Sequence, residues 1–192
     1  MRVPLVDAIL ESFQRFMLFW LLGVPSLYRL FLENDRIDRY DLGSLVFCFC
    51  GGDVLPMEVY NRWEKRFDIP IYQVYGSTEV GHVCYSRIGD SPKPGTSGLP
   101  LNSRECVIVD PTTLEPVDTG ESGELLVSSP YTLKGYWNKP EETEKVCVEI
   151  DGKVYCRMGD YVRQDEDGEL YYVERSADLI KHKGFRISAS EV

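Results

Sequence analysis

The chain is 192 residues long with 31 acidic and 21 basic residues, a formal net charge of 21 − 31 = −10. That excess of negative charge argues against nucleic acid and anionic membrane surfaces as partners, since both are held by Lys and Arg against phosphates. A hydrophobic share of 43% with 12% aromatic residues belongs to a folded chain with a sizeable core, not to a disordered one.

The first ninety residues read as alternating helix and strand. Residues 6–18 carry apolar side chains at helical spacing. The apolar run 16–24 is far shorter than the roughly 20 residues of a membrane-spanning helix. Asp7 and Glu11 precede it and no small-residue cleavage site follows, so it reads as a buried helix or strand, not a signal sequence. Pro25 and Ser26 open a second amphipathic stretch that ends near Asn34. LVFCFC at 45–50 is a continuous apolar run of strand length, the pattern of a sheet covered on both faces. Gly51, Gly52 and Asp53 follow, Pro56 stands where a helix can begin, and the helix continues to Phe67. IPIYQVY at 69–75 is a second buried strand and runs directly into Gly76, Ser77, Thr78 and Glu79.

The texture changes near Ser91. SPKPGTSG reads as a linker or long turn. Beyond it, short strands are predicted at 105–109, 123–127, 146–150, 153–157 and 170–173, with Asp151 and Gly152 as a hairpin turn. This is the pattern of a small antiparallel barrel or sandwich. The fold class expected is therefore α/β plus β: a partial layered α/β subdomain over 1–92, a small antiparallel β-barrel over 93–174, and a basic tail over 175–192. Ser188 and Glu191 have the spacing of a helix-capping box.

Six cysteines form no CxxC pair, which favours reduced thiols in a cytoplasmic protein over disulfides or zinc. The two histidines lack any metal-site spacing. Tyr75, Gly76, Ser77, Thr78 and Glu79 place an aromatic face, hydroxyls and a carboxylate beyond the carboxyl end of a buried strand, where open α/β sheets bind ligands. A Thr hydroxyl can bond a phosphate and a Glu carboxylate can hold Mg²⁺. Gly51, Gly52 and Asp53 repeat that arrangement one strand earlier. An Asp after Met158 and Gly159 can accept from both hydroxyls of a ribose, and Arg175 can fork onto a phosphate. The basic run around Lys181, Lys183 and Arg186 suits an anionic ligand or a solvated face. Tyr131, Tyr136 and Trp137 read as core or loop cover. Taken locally, a plain turn or a surface ion pair would serve each segment equally well. Neither GxxxxGK[S/T] nor GxGxxG occurs.

In order, the segments GVPSLYR, SLVFCFCGGDVLP, IYQVYGSTE, TSGLPL, DTGESGELLVSSP, KGYWNKPEET and YCRMGDYVRQDEDGELYYVERSADLIKHKGFRIS resemble the adenylate-forming superfamily, and within it the AMP-forming acyl-CoA synthetases, from about Gly23 onward. The resemblance implies ATP or AMP, Mg²⁺ and CoA as cofactors and a small carboxylate as substrate. Gly51, Gly52 and Asp53 would lie beside the adenine. Gln73, Val74, Tyr75, Gly76, Ser77 and Thr78 would line the nucleotide, with Tyr75 on the adenine ring and Thr78 on the AMP phosphate. Glu79 would ligate Mg²⁺; Thr78 and Glu79 are the catalytic pair it implies. Asp160 would grip the ribose and Arg175 the ribose and phosphate. Lys183 and Gly184 would neighbour the CoA channel, Arg186 the nucleotide, and Gly81, His82 and Val83 the acyl pocket. The family pivot falls at Ala177, where Asp or Lys is usual, with Asp178 next to it. The family's phosphate loop would precede this sequence and its catalytic lysine would follow it. The chain alone is therefore expected to be inactive, and its apolar runs to self-associate; a non-catalytic nucleotide-binding remnant is the alternative, and an interaction protein that keeps only the fold a third.

Overall fold

A computed structural model describes residues 5–89, 93, 95–175, 179–182 and 185–188, the last two stretches as strand path only. The chain divides into two compact units. One comprises residues 1–74 and 86–95, the other residues 75–85 and 96–192.

In the first unit, α1 (Leu5–Phe16) precedes β1 (Trp20–Gly23), α2 (Pro25–Leu32), β2 (Phe47–Cys50), α3 (Met57–Phe67) and the start of β3 (Ile71–Ser77). β1, β2 and β3 lie side by side and pair in parallel, Cys48 between Leu21 and Ile71, as strand–helix–strand units demand. Pro25 sits in the first turn of α2, where its missing N–H costs nothing. The helices bury Leu10, Phe13, Phe31, Val59 and Trp63 against Cys48, Cys50 and Ile71 of the sheet. Trp63 is the hub, edge-on to Tyr28 at 5.0 Å and against Phe67 at 4.4 Å. The Tyr28 hydroxyl donates to the Phe49 carbonyl at 2.7 Å, tying α2 to β2. Asp7 is fully buried on α1; it pairs with Arg36 and accepts from the Asn34 side chain at 2.9 Å.

The run 16–24 is not the buried element that its apolarity suggests. Within it only Leu21 is buried, while Phe16, Met17, Phe19, Trp20, Leu22 and Val24 are exposed. The reason is topological: β1 is the outer strand, and among the described residues nothing pairs with its other edge.

In the second unit, the end of β3 turns into β4 (Gly81–Tyr85), which pairs with β5 (Leu99–Pro100). β6 (Glu105–Val109), β7 (Ser122–Ser128), β9 (Lys153–Gln164) and β10 (Leu170–Arg175) form an antiparallel sheet in the order β10, β9, β7, β6, with β8 (Cys147–Ile150) also on β9. A bridge between Gly98 and Leu170, with the Ser97 amide donating to the Leu170 carbonyl at 2.7 Å, curls these strands into a half-barrel. β7 is buried at 123–127 because both of its faces are covered. Leu125 and Val127 meet Val80, Val83, Cys84 and Leu170; Leu126 meets Val109 and Tyr155. The predicted hairpin turn is present, with Asp151 and Gly152 both at positive φ (51° and 77°), the geometry that suits Asp-Gly. α4 (Pro140–Val146), unmarked in the sequence reading, starts on Pro140 with Glu141 and Glu142 in its first turn, where the helix dipole favours acids. β11 (Leu179–His182) and β12 (Phe185–Ser188) pair antiparallel.

Candidate functional site

In the second unit the tip of β3 is shaped by its own backbone. A Cβ on Gly76 would stand 2.3 Å from the Gly81 carbonyl oxygen, so glycine is required for the turn to close. The requirement comes from the backbone of β4. Thr78 is left exposed at the tip and Glu79 half-buried.

Tyr75 and Asp160 form the most constrained pair. The Tyr75 hydroxyl donates to Asp160 Oδ2 at 2.6 Å. Asp160 is 6% exposed, and its other oxygen, Oδ1, is buried without a hydrogen bond among the described residues. Two bulges aim it. Opposite β7, Glu124 faces Tyr161 and Leu126 faces Arg157, so residues 158–160 of β9 stand against Leu125 alone. Gly159 takes φ 68° there. In β10 the register slips between Tyr172 and Glu174, which brings Arg175 directly opposite Asp160. The exposed Arg175 guanidinium reaches Oδ1 at 3.4 Å. Bulges of this kind re-aim side chains at functional sites. Burial pushes the Asp160 carboxyl up from its ordinary value, against the Tyr75 hydrogen bond and the Arg175 charge, which pull it down. Burial, and then the Asp160 charge, push the Tyr75 phenol strongly upward.

Glu79 is clamped twice by the loop after β7. The Leu133 amide donates to the Glu79 carbonyl at 2.7 Å, and the Tyr136 hydroxyl donates to Glu79 Oε1 at 2.8 Å. The Tyr136 bond, helped by Ser77 and overcoming desolvation, lowers the Glu79 carboxyl, while the same bond pushes the Tyr136 phenol up to about 12. Tyr136 is itself fixed: its amide donates to Thr143 Oγ1 at 2.9 Å, and Gly135 before it takes φ 147°. Of the two readings of Tyr131, Tyr136 and Trp137, core or loop cover, their exposure removes the first. They are 71%, 36% and 89% exposed. They follow the last buried residues of β7 in a loop that reaches outward to Glu79, and Tyr136 is the contact that sequence reasoning missed. Its KGY context near a strand end was the available signal. No cluster of three or more acidic, His or Cys side chains occurs among the described residues. A cation at Glu79 would thus take one protein carboxylate and complete its shell with ligand oxygens and water, which is how Mg²⁺ is commonly held.

In the first unit, Gly51, Gly52 and Asp53 form the turn leaving β2. A Cβ on Gly51 would lie 2.8 Å from Val74 Cγ2, and Gly52 takes φ +80°. The Asp53 carboxylate accepts from the Val54 amide at 2.8 Å. Gln73 pins this loop, its Nε2 donating to the Asp53 carbonyl at 3.0 Å and its Oε1 accepting from the Leu55 amide. Of the remaining predicted residues, His82 is exposed and Val83 is buried in the core of the second unit. Arg186 lies on β12 opposite Lys181. Lys183, Gly184, Ala177, Asp178 and Glu191 lie outside the described residues.

The second unit thus carries a buried carboxylate opposite an arginine, and a hydroxyl-bearing turn with a second carboxylate. The chain belongs to the AMP-binding enzyme family, whose family model matches residues 2–137. It is 36% identical over 171 residues to a long-chain-fatty-acid–CoA ligase of Bacillus subtilis, covering 88% of this chain and 30% of that protein. It is 34% identical over 187 residues to luciferin 4-monooxygenase of Photinus pyralis, with coverage of 97% and 34%. To a benzoate–CoA ligase of Thauera aromatica it is 32% identical over 189 residues, with coverage of 98% and 35%. Among solved structures, the anthranilate–CoA ligase AuaEII in complex with anthranoyl-AMP superposes with a TM-score of 0.86 at 27% identity, over 97% of this chain and 35% of that one. ATP-bound MatB from Rhodopseudomonas palustris gives 0.83 at 26%, over 97% and 36%. The chain spans about a third of the length of these relatives.

Proposed function

We propose that this chain is the nucleotide-gripping portion of an AMP-forming acyl-CoA ligase. Such an enzyme joins a carboxylate to the α-phosphorus of ATP, releasing pyrophosphate, and then passes the acyl group from AMP to the thiol of CoA. The observation that carries the reading is Asp160: a buried carboxylate with one oxygen lacking a hydrogen bond, set by two bulges opposite Arg175. Leaving a buried acceptor unsatisfied costs about 1–3 kcal/mol. A ribose hydroxyl supplies the missing donor, and the exposed Arg175 guanidinium stands ready for ribose and phosphate oxygen.

The other residues divide the remaining work. Tyr75 holds the second Asp160 oxygen and offers its ring to the adenine. Gln73 keeps the loop of Gly51, Gly52 and Asp53 in one conformation. Thr78, exposed at the strand tip, donates its hydroxyl to the α-phosphate. Glu79, kept ionised by Tyr136 and Ser77, holds Mg²⁺, which when bound neutralises phosphate charge during the displacement. Six thiols without disulfides support a reducing, cytoplasmic setting.

The test is calorimetric binding of AMP and ATP to the chain and to Asp160→Ala. Loss of a charged acceptor that bonds two ribose hydroxyls, each worth about 1.5–3 kcal/mol, predicts a drop in affinity of well over tenfold. An affinity that stays within about twofold of wild type, less than the smallest such contact, would overturn the reading. Binding intact but adenylation absent in the full-length protein would instead favour the non-catalytic remnant.

A further inference from the structure

The β8–β9 hairpin holds two cysteines that the nucleotide reading does not use. Cys147 is the first residue of β8, and its partner in the antiparallel register is Cys156 of β9. Directly opposed residues in an antiparallel pair have Cα atoms about 4.5 or 5.5 Å apart and side chains on the same face. Both spacings fall within the window a disulfide accepts, roughly 4.4–6.8 Å. The register therefore brings the two Cα atoms within disulfide range, and a small approach of the Cβ atoms, from about 4.5–5.5 Å to about 3.5–4.5 Å, closes the bond. Other cysteines lack this arrangement: Cys48 and Cys50 share one strand, and Cys84 and Cys106 belong to strands that are not paired with each other.

The two thiols also differ in the way an exchange reaction needs. Cys156 is 1% exposed, packed among Val127, Val162 and Leu170, and burial raises its thiol to about 12. Cys147 is half-buried where the chain leaves α4, so an outside reagent meets it first. Both sulfurs lie near the site: a thiolate on either would raise the Tyr136 phenol, and Cys156 also senses Glu79.

We propose that Cys147 and Cys156 are a redox-responsive pair that closes to a cross-strand disulfide by exchange with a small disulfide such as oxidised glutathione. The Cys147 thiolate attacks one sulfur of the reagent, forming a mixed disulfide and expelling one glutathione thiolate. Cys156 then gives up its proton and attacks the Cys147 sulfur, expelling the second glutathione thiolate. The protein loses two protons and two electrons, and the reagent is reduced to two glutathione thiols. The product ties β8, the strand that follows α4, to β9.

The test incubates the purified chain in glutathione buffers of increasing oxidised fraction, quenches with acid, alkylates in denaturant so that every free thiol reacts, and maps thiols by peptide mass spectrometry. The expected result is one bridged species, linking residues 147 and 156, at ratios where the other four cysteines still alkylate. Cys156→Ser should trap Cys147 as a glutathione adduct, and Cys147→Ser should leave Cys156 alkylatable only after unfolding. The proposal is overturned if wild-type Cys147 stops at the adduct, if another pair bridges first, or if all six cysteines alkylate in fully oxidised buffer. Far-ultraviolet circular dichroism of each variant distinguishes these outcomes from misfolding.

Discussion

Replacing Tyr75 by Phe removes one oxygen and keeps the ring. Among the described residues that hydroxyl is the only hydrogen-bond donor on Asp160, at 2.6 Å, and Oδ1 has none. The Arg175 guanidinium, 68% exposed and 3.4 Å away, is a screened and poorly aligned substitute. A hydrogen bond to a charged group is worth about 1.5–3 kcal/mol, so Tyr75→Phe should destabilise the second unit by about 2 kcal/mol at neutral pH. For a chain of this length that is a fall in Tm of roughly 4–8 °C. The effect has a signature in pH. Burial has already raised the Asp160 carboxyl above its ordinary 3.8, against Tyr75. A raised carboxyl contributes stability that is complete below the unfolded-state value and is lost as pH climbs through the folded one. Removing the donor raises the folded value further, so the variant loses more. The gap between wild type and variant should be widest at neutral pH and close on acidification, once Asp160 is protonated in both. Differential scanning fluorimetry across a pH series reads this directly. A Tm within about 1 °C of wild type at neutral pH, or a gap independent of pH, would refute the argument.

Other expectations follow from the same geometry. Glu79→Gln in a full-length protein should leave AMP affinity nearly unchanged and slow ATP–pyrophosphate exchange by roughly 10²–10³, the usual effect of losing one preorganised electrostatic group; unchanged exchange with unchanged Mg²⁺ dependence would remove Glu79 from its role. Tyr136→Phe should raise the Mn²⁺ concentration needed for half-saturation by about fivefold, the equivalent of a hydrogen bond of about 1 kcal/mol, as read by electron paramagnetic resonance with AMP affinity as control. By itself the 192-residue chain should show no pyrophosphate exchange above a Thr78→Ala/Glu79→Ala control with any carboxylate. Its outer strand should drive self-association, so sedimentation should report species larger than a monomer, and Leu22→Lys, a charge on the open edge, should shift them to monomer.

Much of this architecture is legible in the sequence, because the signals are local. LVFCFC and IPIYQVY are long enough apolar runs to declare strands, and Asp151 with Gly152 declares a turn by the φ values it permits. What the sequence conceals depends on partners distant along the chain. The apolar run 16–24 announces a helix or strand but not its exposure, which follows from the place of β1 at the outside of the sheet. Tyr136 resembles any core aromatic until the loop after β7 is seen to turn back to Glu79, 57 positions earlier. The bond between Tyr75 and Asp160 spans 85 positions. The motif MGD advertises an aspartate, and only the register of three strands reveals that its carboxylate lies buried with one oxygen unanswered.

The slippage around Asp160 alters what mutation can do to this protein. Side chains on a strand alternate between faces, so adding or deleting one residue turns everything beyond it to the opposite side. Against β7, the three residues 158–160 of β9 stand where one would pair, so two are extra there, and β10 carries an extra residue at Val173. A single-codon deletion there could be absorbed with the sheet and its hydrogen bonds largely preserved, yet it would carry Asp160 away from Arg175. Length at these two points, as much as residue identity, encodes the site, so a descendant that conserved every motif letter but lost one spacer would keep the fold and lose the grip on its ligand.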